Sequence, residues 1–166
     1  MLLLTTITEH FFEAVRRYLI VFGVAMLPVI ELRGAIPLGI KLGLTYRETI
    51  VCAILGNLVP IPLGIVFLRR VLEFLSTKSL FIKKLVDRKV DKSLEKHDAA
   101  KYASAFIALA VLVAIPLPGT GAWTGALICA FMGVKVREGF PPIALGIVGA
   151  GVIVTVITFG AVKVFS

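Results

Sequence analysis

Two apolar stretches of this chain are each interrupted near their middle by helix breakers and polar groups. The first covers residues 18–44 and is broken by Glu31-Leu32-Arg33-Gly34-Ala35-Ile36-Pro37. The second covers residues 102–134 and is broken by Pro116-Leu117-Pro118-Gly119-Thr120-Gly121. Residues 18–30 give the first arm only thirteen positions, against the ~20 a spanning helix needs. The other arms are of similar or shorter length. Each stretch is therefore predicted to be a re-entrant helical hairpin, whose tip is tolerable only where protein or a wet cavity satisfies its backbone. For the first stretch the alternative is one long span with Glu31 and Arg33 paired inside it.

A longer apolar segment follows each hairpin. Thr45-Tyr46-Arg47-Glu48 fits a capping box, and residues 46–68 are predicted to form a transmembrane helix. Asn57, Pro60 and Pro62 lie at its centre, where the prolines should kink it. Residues 141–163 are predicted to form the second transmembrane helix. Ahead of the first hairpin, Thr6-Ile7-Thr8-Glu9 reads as a capping box opening an N-terminal helix that runs toward Pro28. Between the halves, residues 69–101 form a polar connector. There Ile82, Val86, Val90 and Leu94 recur every fourth residue beside separate acidic and basic stripes, which predicts an amphipathic surface helix.

Shifting the chain by 90 brings Gly43 onto Gly133, Arg47-Glu48 onto Arg137-Glu138, Leu55-Gly56 onto Leu145-Gly146, and Pro28 onto Pro118. Ala35, Gly39 and Gly43 fall on Gly125, Cys129 and Gly133, a small-xxx-small spacing that lets helices approach closely. Each half is then one hairpin, which returns to its own side, and one crossing helix. A single crossing turns the second half upside down relative to the first. The predicted fold is an all-α integral membrane protein: an inverted repeat of two units, each a re-entrant hairpin plus one transmembrane helix. The units are residues 1–68 and 102–166, with the connector at 69–101.

Composition agrees with a membrane chain. It is 58% hydrophobic, with a mean hydropathy of +1.00. The N-terminus lacks the basic n-region of a secretory signal. Of the net charge of +8, the connector holds ten Lys/Arg against five Asp/Glu. Such a patch suits anionic lipid headgroups better than nucleic acid. With Lys135 and Arg137 that face carries twelve basic residues, against five on the other (Arg16, Arg17, Lys41, Arg47 and Lys163). The connector should then be cytoplasmic and the chain a multi-pass protein of the cell (inner) membrane. Cys52 and Cys129 fall in apolar segments and read as reduced packing residues.

Glu31 and Arg33 are the only charges this reading places at membrane depth, where an ionisable residue is a functional hypothesis by default. Arg33 offers a bidentate fork for phosphate, and Glu31 is the candidate proton-coupling carboxylate. The second arm of each hairpin starts at its tip, so its helix N-terminus favours an anion there. Gly34, Gly119, Thr120 and Gly121 could add backbone N–H groups, and Asn57 could reach the same cavity. The plain alternatives are that Glu31 and Arg33 merely neutralise each other and that Asn57 makes a helix–helix hydrogen bond. Pro28, Pro37, Pro60, Pro62, Pro116 and Pro118 are assigned to tips and kinks. Trp123 reads as packing, and His10 and His97, one on each side, as no metal site.

These two interrupted motifs resemble the small multidrug export family, within the wider DedA-like superfamily of membrane proteins, over nearly the whole chain. The resemblance implies opposed re-entrant hairpins and movement of amphipathic molecules. For DedA-like proteins that means polyprenyl-phosphate or other lipid translocation, coupled to protons. One departure stands out, since the second tip carries no charge and so does not match two-site proton coupling.

The expected function is therefore a transporter of an amphipathic substrate, chiefly an anionic lipid such as a polyprenyl phosphate. A proton-coupled small multidrug exporter and a non-transporting membrane scaffold are the alternatives. No Ser/His, Cys/His, metal-ligand cluster or carboxylate dyad supports an enzyme, and no cofactor or nucleic acid is expected. Expected partners are membrane lipids, the substrate and further copies of the chain, because four membrane elements enclose little volume.

Overall fold

The computed structural model describes residues 2–78, 99–117 and 119–165. The amphipathic connector helix and Pro118 lie outside the described residues. Among the described residues there are seven helices: α1 (Leu2–Met26), α2 (Glu31–Lys41), α3 (Tyr46–Leu58), α4 (Pro60–Lys78), α5 (Ala99–Ala114), α6 (Ala122–Phe131) and α7 (Val136–Phe165). No strand occurs among the described residues. Two helical stretches, Tyr46–Lys78 and Val136–Gly160, are long and apolar enough to cross a membrane. Both carry large exposed apolar side chains, among them Leu63, Phe67, Leu145 and Val156. Surfaces of that kind fit hydrocarbon better than water.

The first break lies four residues earlier than the sequence reading placed it. Leu27–Ile30 form the turn, and Glu31 through Pro37 sit inside α2. The residue before a proline is pushed out of the α region, so Pro28 ends α1 at about this point. Pro37 costs α2 one backbone hydrogen bond but does not break it. Thr6-Ile7-Thr8-Glu9 does not open α1 either, because the helix is already under way at Leu2.

The turns after the two short helices are alike in detail. Leu44 N–H bonds Gly39 O and Gly43 N–H bonds Ile40 O, both at 3.0 Å. Ninety positions on, Val134 N–H bonds Cys129 O at 2.9 Å and Gly133 N–H bonds Ala130 O at 3.2 Å. Each is a Schellman closure. It needs a left-handed residue, supplied by Gly43 (φ 81°) and Gly133 (φ 69°). These two glycines therefore serve turns rather than the helix-packing face assigned to them from spacing. After the first turn the Thr45–Glu48 capping box forms as expected. Thr45 N–H donates to the Glu48 carboxylate at 2.8 Å and Glu48 N–H to Thr45 Oγ1 at 3.4 Å. The helix that follows is interrupted at Val59, next to Pro60, and α4 runs on to Lys78.

The chain divides into two compact units, Met1–Asn57 with Gly151–Ser166, and Leu58–Ala150. Each unit thus takes one helical hairpin, the first half of the long helix after it, and the second half of the other long helix. In the first unit α2 packs on α1, and Gly56 of α3 lies against the Phe22 carbonyl of α1. In the second unit α6 packs chiefly on α4 and only lightly on α5. There Gly146 of α7 lies against Ala110 and Val113 of α5. Phe22 to Ala110 is an offset of 88, not 90, as is the step from Met26 to Ala114 at the helix ends. The second inter-helix segment, residues 115–121, is three residues longer than 27–30, and the helix ends Lys41 and Phe131 are again 90 apart.

Candidate substrate site

Three polar residues are buried among the described residues, Glu31 (5% exposed), Thr49 (0%) and Asn57 (1%). All three belong to the first unit. At offset 90 their counterparts are Gly121, Gly139 and Ile147, so the polar core belongs to one half only. On α3 the buried residues Thr49, Ala53, Gly56 and Asn57 form one helical face. Gly39 of α2 meets that face at Thr49, where a Cβ on residue 39 would come within 2.5 Å of Thr49 Cγ2. Eight residues back from Gly39 along α2 is Glu31, and eight residues on from Thr49 along α3 is Asn57. Each lies two turns, about 12 Å, from that contact.

Glu31 opens α2 with a φ of 51°. A non-glycine residue in the left-handed region is under strain of ~1–2 kcal/mol, of a kind that gathers at functional sites. Its carboxylate lies 3.9 Å from Arg33 Nη2, with the two side chains 6% and 21% exposed. That separation exceeds the about 2.7–2.9 Å of a charge-assisted hydrogen bond, so the pair is electrostatic and loose. Gly34 lies directly over Ile30, whose methyl occupies the place a Cβ would take. Its glycine identity is thus explained by packing.

Asn57 has no hydrogen-bond partner at Oδ1 or at Nδ2, and neither has Thr49 Oγ1. Leaving such groups buried and unpaired costs ~1–3 kcal/mol each on mutational scales. The helix–helix hydrogen bond offered as the plain alternative for Asn57 is therefore not made. Thr49 was missed from the sequence, although its spacing of two turns from Asn57 on one helix face was visible.

The second tip belongs to the other unit. Thr120 Oγ1 has Ile115 O at 2.7 Å and Leu117 O at 2.9 Å as acceptors, and receives Leu117 N–H at 3.3 Å. Thr124 donates to Gly119 O at 2.9 Å. Gly119 (φ 88°) and Gly121 (φ 140°) make the bends that admit α6. Thr120 is thus engaged by its own loop. Trp123 lies over Gly64 of α4, 3.3 Å from where a Cβ would stand, and is packing as expected. Among the described residues no cluster of His, Cys, Asp or Glu could hold a metal.

A short helix that opens on a buried carboxylate beside a half-buried guanidinium, together with two long apolar helices, fits a membrane protein. The chain belongs to the family described as "Putative small multi-drug export protein", whose model matches residues 31–153. That match begins at Glu31 and includes the second tip. No curated protein and no solved structure matches the chain.

Proposed function

We propose that this protein is a transporter of an amphipathic substrate with an anionic head, most simply a lipid phosphate of the polyprenyl-phosphate kind. In this reading each half of the chain is a re-entrant hairpin plus one crossing helix, in a DedA-like arrangement. The observation that carries it is the loose pair of buried Glu31 with half-buried Arg33 at the left-handed start of α2. Arg33 can leave a partner held at 3.9 Å for a phosphate that accepts both arms of its fork. The N–H groups of Glu31 and Gly34 already donate to Leu27 O and Ile30 O, so what the start of α2 adds is its dipole, which favours the same charge. Glu31, released, takes a proton, and the unpaired amide of Asn57 is available to the substrate or to that carboxyl.

The test is transport of a fluorescent lipid phosphate in proteoliposomes with an imposed pH gradient. Arg33→Lys should lose most activity, because a point charge lacks the planar fork. Glu31→Asp should keep part of it, and Glu31→Gln should abolish the response to the gradient. Transport by Arg33→Lys at the wild-type rate would remove the phosphate role. The family description favours a second reading, in which Glu31 exchanges protons for a cationic drug. Drug efflux dependent on Glu31 and indifferent to Arg33 would select it.

A further inference from the structure

The left-handed turn at Glu31 depends on a glycine three positions later. Ile30 caps α2 in the right-handed region (φ −86°, ψ −48°), and Glu31 then turns to φ 51°. Hydrogen bonds close on both sides of that turn. Glu31 N–H donates to Leu27 O at 3.0 Å, and Gly34 N–H donates to Ile30 O at 3.3 Å. The Ile30 side chain folds over Gly34, and its Cγ2 methyl stands where a Cβ on residue 34 would be. Isoleucine is stiff at χ1, and Cγ2 is attached to the branching carbon itself. A side chain at 34 would therefore displace the backbone of residues 30–31 rather than swing the methyl aside.

The second unit makes its turn differently. Ninety positions on, Ile30 corresponds to Thr120, Glu31 to Gly121 and Gly34 to Thr124. Gly121 takes the positive φ there (140°), at the least conformational cost. Thr120 turns its hydroxyl to Ile115 O and Leu117 O, and residue 124 carries a side chain that bonds Gly119 O. In the half with a carboxylate at the strained position, the glycine stands at 34 instead. That exchange brings two charges together. On a regular helix residues 31 and 33 would point about 200° apart, whereas here their side chains meet at 3.9 Å.

We infer that Gly34 is a positioning residue for the Glu31–Arg33 pair. By leaving the space Ile30 needs, it lets residue 31 hold the left-handed turn that keeps the guanidinium beside the carboxylate. Its own N–H already donates to Ile30 O, so this role replaces the anion-binding N–H assigned to it from sequence. In function, Gly34 sets how closely a proton on Glu31 is linked to an anion on Arg33. That functional part rests on the reading given under Proposed function, and the geometric part does not.

The test is the cycle Gly34→Ala, Ile30→Ala and the two together, in the full chain in lipid bilayers. Ile30 Cβ lies 3.7 Å from the place of a Cβ on residue 34, an ordinary contact, so alanine at both positions fits. The pairing is read without transport, by solid-state NMR. The signal is the dipolar coupling between the Glu31 carboxylate carbon and guanidinium nitrogen, taken as the part that Arg33→Lys removes. Gly34→Ala should lose this coupling, and adding Ile30→Ala should return it. The response of lipid-phosphate transport to a pH gradient should follow, falling about tenfold in Gly34→Ala and recovering in the double variant. No coupling in the wild type, or coupling unchanged in Gly34→Ala, would overturn the inference. A double variant that neither folds nor couples better than Gly34→Ala would overturn it as well. Coupling that follows the expected pattern while the wild type moves no lipid phosphate would remove the transport reading alone.

Discussion

Glu31 and Arg33 stand two positions apart on α2, yet their side chains meet at 3.9 Å because Glu31 enters the helix with a φ of 51°. On a regular helix, residues with this spacing point away from each other. The pairing therefore depends on the irregular start of α2, and anything that regularised this turn would separate the charges. The backbone strain and the ion pair are one feature.

Asn57 should behave as a residue kept for function at the expense of stability. Leucine has nearly the same shape and no polar atoms to leave unpaired. Asn57→Leu should therefore hold or raise thermal stability, by up to ~1–3 kcal/mol, while transport falls about tenfold or more. Thermal unfolding in detergent and the proteoliposome assay would be run on the same preparation. Lost stability together with unchanged transport would make Asn57 an ordinary packing residue.

The glycines divide sharply by what a Cβ would meet. At Gly56 it would come 2.5 Å from the Phe22 carbonyl, and at Gly146 2.7 Å from the Ala110 carbonyl, both backbone atoms that cannot swing away. At Gly23 nothing lies within 4 Å. Gly56→Ala and Gly146→Ala should each destabilise by ~1–3 kcal/mol as overpacking does. Gly23→Ala should be neutral or slightly stabilising, since alanine is the better helix former. Equal melting temperatures for all three would mean that α1–α3 and α5–α7 do not pack as described.

Membrane topology offers a separate check. In a background without Cys52 and Cys129, Arg16→Cys and Arg47→Cys should both react with an impermeant maleimide from outside. Lys92→Cys should react only from the cytoplasm. Reaction of residues 16 and 47 on opposite faces would make the first hairpin a full crossing and remove the inverted repeat.

Much of this was legible in the sequence. The short second arms, the Thr45 capping box and the offset of 90 through the turns at Gly43 and Gly133 follow from local chemistry that sequence spells out. The position of the first tip was not, because two charges and Pro37 look more disruptive than Pro28 among apolar neighbours. In the fold the charges are absorbed by one left-handed residue, and Pro37 by one missing hydrogen bond. The end of α4 was also misplaced, since Arg69, Arg70 and Glu73 change polarity but are good helix formers. Least visible was the sharing of each long helix between two units, which depends on tertiary contacts.

The most direct measurement compares transport by Glu31→Gln, Arg33→Gln and the double variant carrying both. Each single change removes one charge of the pair and keeps the other inside the protein, whereas the double change removes both. If Arg33 binds the substrate and Glu31 carries the proton, the double variant should be as inactive as either single one, although it is the more stable. If the double variant instead transports at the wild-type rate, the two residues only neutralise each other, and the central claim is contradicted.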